Sequence, residues 1–128
     1  MQSLAYQAYR ETTTRTASGR ELERAVFEQI TNELQNVRDN GGEDPVAWAD
    51  AIHRNMQLWS IIAADVMSPG NALPQETRAG LFTLSEFIRR TSMKVFAGSE
   101  GLDDIIEVNR TIMAGLYGQA ATPEQEVI

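Results

Sequence analysis

Few residues in this chain could do covalent or acid–base chemistry. His53 is the only histidine and there is no cysteine, so neither a histidine pair nor a thiolate set can hold a metal such as zinc. By helical spacing His53 shares a narrow polar strip with Asp50, Arg54, Gln57 and Ser60, which makes an exposed side chain the expectation. A serine triad would need His53 beside a nucleophile, and no G-x-S-x-G elbow is present. Glu21, Glu23 and Glu28 could be read as an acidic catalytic cluster. In the N-terminal half of a helix, where the dipole favours negative charge, they read better as a solvated face. Asp103 and Asp104 open a later helix and suit the same role. The glycine pairs match no phosphate-binding pattern. The expectation is a protein that is not an enzyme, with no metal, no cofactor and no small-molecule substrate.

The remaining candidates are polar residues set in apolar rows. Asn55 and Asn109 have comparable contexts, Arg54-Asn55 and Asn109-Arg110. A buried asparagine costs stability unless its amide is hydrogen-bonded. The pair could bond across a bundle and fix helix register, or line a groove and bond a partner's backbone. Asn71, Leu73 and Pro74 lie in a loop, where identity is less often set by packing, and are candidates for partner contact. Tyr6 and Tyr9, three apart, could present a contact surface or anchor their segment to the bundle.

These residues must be positioned by helices. The strongest pattern runs from Ile52 to Pro74. Ala49, Ile52, Met56, Trp59, Ala63 and Val66 alternate at steps of three and four, placing them on one helical stripe. Leu58 and Ile62 sit beside that stripe and Ile61 nearly opposite, so this helix should be covered by several neighbours. Asp44 and Pro45 supply its N-cap and first position, and it should end near Met67, before Pro69-Gly70. Before it, Ser18 and Glu21 have capping-box spacing. They open a helix with Val26, Phe27, Ile30, Leu34 and Val37 inside and Gly41-Gly42 at its end. After it, Pro74 to about Phe96 forms the next helix, with Leu81, Leu84, Ile88 and Val95 in one row. The last, about Leu102 to Tyr117, carries Leu102, Ile105, Asn109, Ile112 and Leu116. A first, thinly apolar helix is expected over residues 3 to about 16. No strand or repeat signal is present. The expected fold is all-α, a small antiparallel bundle of about five helices, covering residues 1–118 with a disordered tail over 119–128. Its core should include Ile52, Met56, Trp59, Ala63, Val66, Leu84, Ile88, Ile105, Ile112 and Leu116.

Bulk properties narrow the partners. The 128 residues suit one domain, and 42% are hydrophobic, enough to bury a core. Eleven basic and eighteen acidic side chains give a net charge of −7, which repels phosphate backbones and argues against direct nucleic-acid binding. No window approaches the ~18 apolar residues of a membrane span, and the N-terminus lacks the pattern of a signal peptide. A cytoplasmic protein without membrane insertion is the expectation.

Several short pieces, taken in order, resemble the FlaF family of small flagellar regulatory proteins of alphaproteobacteria. They are R-N-x-x-L-W (Arg54, Asn55, Leu58, Trp59), A-A-D-V (Ala63 to Val66), N-x-L-P (Asn71, Leu73, Pro74) and Arg78. Y-Q-A-Y (Tyr6 to Tyr9) and E-L-E (Glu21 to Glu23) precede them, and I-x-x-N-R-x-I-M-x-G-L (Ile106 to Leu116) follows. The resemblance implies action in the cytoplasm on flagellin production and export, with flagellin and the regulator FlbT as partners. It suggests a secretion chaperone whose groove receives an amphipathic helix from a terminal segment of flagellin, with Met56, Met67, Met93 and Met113 available to line it. The alternative it allows is post-transcriptional regulation of flagellin synthesis through protein contact with FlbT. On this reading partner contacts fall to Tyr6, Tyr9, Asn55, Leu58, Asn71, Leu73, Pro74, Arg78, Asn109 and Arg110.

Overall fold

The computed structural model describes residues 17–118, with side chains from Glu21 to Leu116. The expected first helix with Tyr6 and Tyr9, and the tail from 119, lie outside the described residues. Within them the chain forms four α-helices: α1 (Ala17–Asp39), α2 (Pro45–Val66), α3 (Gln75–Phe96) and α4 (Leu102–Met113). A wide π-helical turn, Ala114–Gly118, continues α4.

Local chemistry sets most of these boundaries. Asp44 caps α2 by accepting from the Ala47 amide at 3.1 Å, and Pro45 follows at the first position. Gly41 and Gly42 take φ values of 64° and 81° in the turn after α1, a region that favours glycine. Three boundaries differ from expectation. Ser18 lies inside α1 rather than at its cap. Pro74 is itself the N-cap of α3, extended at φ −58° and ψ 150°, because the helix begins one residue later. The last α-helix ends at Met113, four residues early. Ala114-Gly115-Leu116-Tyr117-Gly118 holds two glycines in five residues, which weakens the α-helical register there.

The helices run up and down around one core. Glu33 pairs with Arg54 and Phe27 meets Trp59, so α1 and α2 are antiparallel. Trp48 at the start of α2 meets Phe96 at the end of α3. Arg38 near the end of α1 bonds Asp103 at the start of α4, closing the ring. Phe27, Leu34, Ile52, Trp59, Ile88 and Ile105 are the large apolar side chains at its centre. Phe27 and Trp59 pack edge to face, 5.9 Å between centroids, a favoured aromatic geometry.

The buried rows differ from the apolar rows. On α2 the buried set is Ala51, Ile52, Asn55, Leu58, Trp59 and Val66. Met56 and Ala63, expected in the core, are only half-buried. At 100° per residue this rotates the buried arc by about 65° from the apolar stripe. On α3 the buried row is Leu81, Ser85, Ile88, Ser92 and Val95, and Leu84 is displaced to the side. On α4 it is Ile105, Ile106, Asn109 and Met113, leaving Ile112 and Leu116 half-exposed. In each case a polar or small residue takes an inward position that apolar counting treats as a gap. Ser85 and Ser92 are small, which lets α2 and α3 form the most extensive contact of the bundle.

Gly101 is the tightest point of the α3–α4 connection. Its φ is 149°, and a Cβ there would lie 2.8 Å from Thr91 Cγ2 and 3.3 Å from Val95 Cγ2. Thr91 and Val95 are β-branched and cannot swing away freely. Gly101→Ala should therefore lower stability by about 1–3 kcal/mol, through backbone strain and overpacking. Chemical denaturation reads this directly, and a neutral result would mean the loop shifts freely.

Candidate docking site

The polar residues of the core form one network centred on Asn109. Its Oδ1 accepts from Trp59 Nε1 at 2.9 Å. Its Nδ2 donates to Asn55 Oδ1 at 2.7 Å and to Thr31 Oγ1 at 3.0 Å. Thr31 in turn donates to the Phe27 carbonyl at 2.8 Å. One side chain of α4 thus bonds α1 and α2 at once. Asn55 and Asn109 are both fully buried, so the structure favours the register reading over the groove reading. Their amides face the interior and offer a partner nothing. Asn55 Nδ2 is left without a hydrogen-bond partner.

Most other expected contact residues also serve the fold. Leu58 is buried. Asn71 holds the α2–α3 loop: its Nδ2 donates to the Asp65 carbonyl at 3.2 Å, and its Oδ1 accepts from the Leu73 amide at 3.0 Å. Arg110 Nη2 donates to Asn32 Oδ1 and Gln35 Oε1 at 2.8 and 2.7 Å, clamping α4 to α1. Arg78 is half-buried, with its Nε buried and unbonded. At the far end of α1, Asp103 and then Asp39 raise the pKa of Arg38 above its usual range by hydrogen bonding. Tyr6 and Tyr9 lie outside the described residues.

Leu73 and Pro74 have a different setting. They line an open apolar groove between α3 and α4, with Gly80, Leu84, Ile112 and Leu116. This lobe has a volume of about 920 Å³. A second lobe of about 320 Å³ continues it toward the α3–α4 turn, lined by Phe87, Val108, Asp104 and Glu107. Leu84 and Ile112 belong to both lobes and form the waist between them. The groove opens because α3 and α4 meet least closely of the four neighbouring helix pairs. The core rows explain it further. With Ser85 and Asn109 inside, Leu84, Ile112 and Leu116 are turned onto the facing flanks of α3 and α4. All three, expected in the core, still pack against it from the side, half-buried, while polar residues take the inward positions. Met67 and Met93 are exposed but line neither lobe, and Met113 is buried. Of the methionines proposed for a groove, Met56 borders a different hollow. That is a separate space of about 60 Å³ with Ser60, Ser85 and Glu86.

The fold and site define a small all-α bundle with an open apolar groove on one flank and a hydrogen-bonded polar core. No helix among the described residues is long and apolar enough to cross a membrane, and no group of acidic or histidine side chains among them could hold a metal. The model of the family described as flagellar protein FlaF matches residues 5–116. The chain belongs to that family. No curated protein and no solved structure matches it.

Proposed function

We propose that the chain binds monomeric flagellin in the cytoplasm, as a secretion chaperone and regulator that supports flagellin production and export. The observation that carries this reading is the open apolar groove between α3 and α4 on a member of a flagellar family. Grooves between helices receive amphipathic helices by their apolar face. Flagellin termini expose such faces while the subunit is free, and covering them would hold back assembly.

Size-exclusion chromatography with light scattering tests this on the full chain mixed with monomeric flagellin. A discrete complex is the expected result. Its loss on deleting residues 1–16 would give Tyr6 and Tyr9 a share in the interface. No complex, with the protein folded by circular dichroism, would overturn the reading and turn the test to FlbT, as a protein contact that alters flagellin synthesis. With a net charge of −7, the chain alone should not shift flagellin leader RNA in a gel.

A further inference from the structure

The groove has a chemical polarity along its length. At the end built from the α3 N-terminus and the α4 C-terminus, the described residues that line it are uncharged. At the other end Asp104 and Glu107 stand beside Phe87 and Val108. Both carboxylates are exposed, and among the described residues neither has an ion-pair partner. Their neighbour Asp103, by contrast, is held by Arg38 at 2.9 Å. Among the described residues, no lysine or arginine lines either lobe. The two walls are helices whose backbone groups bond within themselves, so an extended peptide would find no ladder to join. A helix satisfies its own backbone and needs only an apolar face. From Thr77 to Phe87 along α3, and from Asp104 to Leu116 along α4, the walls span about 15–18 Å at 1.5 Å per residue, or about three helical turns.

We infer that the groove takes one amphipathic helix of a basic partner segment, about three turns long. Its apolar face lies over Leu84 and Ile112, and its Lys or Arg side chains lie against Asp104 and Glu107. A second copy of this chain, at a net charge of −7, would bring like charge overall to the acidic end of the groove. The inference rests on the flagellin-binding reading for who the partner is, and on the groove alone for its chemistry.

The chain has no cysteine, so one introduced thiol can report on one face. Thr111 borders the second lobe, and His53 is exposed on the polar strip of α2. An environment-sensitive fluorophore is placed on the full chain at Thr111→Cys or, as control, at His53→Cys. The probes are a designed helix of about 18 residues with a leucine face and lysine flanks, its glutamate-flanked counterpart, and monomeric flagellin. The Thr111→Cys label should respond to the lysine-flanked helix and to flagellin, and the His53→Cys label should not. The double variant D104K/E107K, altered only at exposed positions, should weaken both at least tenfold. An equal response to the glutamate-flanked helix, or equal responses at both labels, would overturn the inference. So would a response at Thr111→Cys on deleting residues 1–16 with none to any probe, since the occupant would then be the chain itself. Response to the lysine-flanked helix without flagellin binding would support the groove chemistry and sink the flagellin reading. Flagellin binding unaffected by D104K/E107K would do the reverse.

Discussion

Asn109→Leu should destabilise the bundle by about 3 kcal/mol, since each buried polar group left unpaired costs about 1–3 kcal/mol. The side chain is fully buried and makes three hydrogen bonds. Removing it strands the Trp59 indole N–H and Asn55 Oδ1, beside an Asn55 Nδ2 that already lacks a partner. Thr31 keeps its bond to the Phe27 carbonyl and adds little to the loss. A cost of this size is a large part of the roughly 5–15 kcal/mol that holds a native domain together. Urea denaturation of the single variant and of Asn55→Leu/Asn109→Leu checks the mechanism. The double variant removes both amides and should be less destabilised than the two singles summed, because the residues share one network. Strict additivity would mean that Asn55 and Asn109 act separately, and the register argument would fail.

The same network shows what was legible in the sequence. Helix ends set by local chemistry could be read: Asp44-Pro45 at the start of α2, and Gly41-Gly42 after α1. Each acts through its own backbone and needs no knowledge of neighbours. The all-helical, antiparallel character followed from the three-four spacing. Which face turned inward did not follow. Apolar counting put Met56 and Ala63 inside and passed over Ala51. The inward position between Ile52 and Trp59 belongs to Asn55, whose cost is met by Asn109 from a helix fifty-four residues away. Leu84, Ile112 and Leu116 pack against the core only from its edge, half-buried, for a related reason. Ser85 and Asn109 occupy the inward positions beside them, and no rule confined to one helix can see that choice. The groove followed from this displacement. Of the expected contact residues, Leu73 and Pro74 line it, while Asn71, Arg110 and Leu58 hold the fold that shapes it.

A useful interface variant must therefore avoid the network, and Leu84→Arg does so. Leu84 is half-buried at the waist of the groove and lies outside the buried row of α3. An arginine there can keep its stem on the apolar wall and send its charge to water. The fold should lose about 1–2 kcal/mol, within the usual range for a single substitution. Binding should suffer far more. The new cation sits midway along the path of the incoming helix, where it blocks the apolar face and competes with the partner's Lys or Arg for Asp104 and Glu107. A loss of at least a hundredfold in affinity for monomeric flagellin is expected, or about 2.8 kcal/mol at 1.4 kcal/mol per tenfold. Isothermal titration checks this, with the unfolding midpoint measured on the same sample. Trp59→Ala makes the contrast. It should cost about 3–5 kcal/mol of stability by emptying the centre of the core, so any binding it loses says nothing about the groove. If Leu84→Arg is stable and binds flagellin like the unaltered chain, the interface lies elsewhere on the bundle.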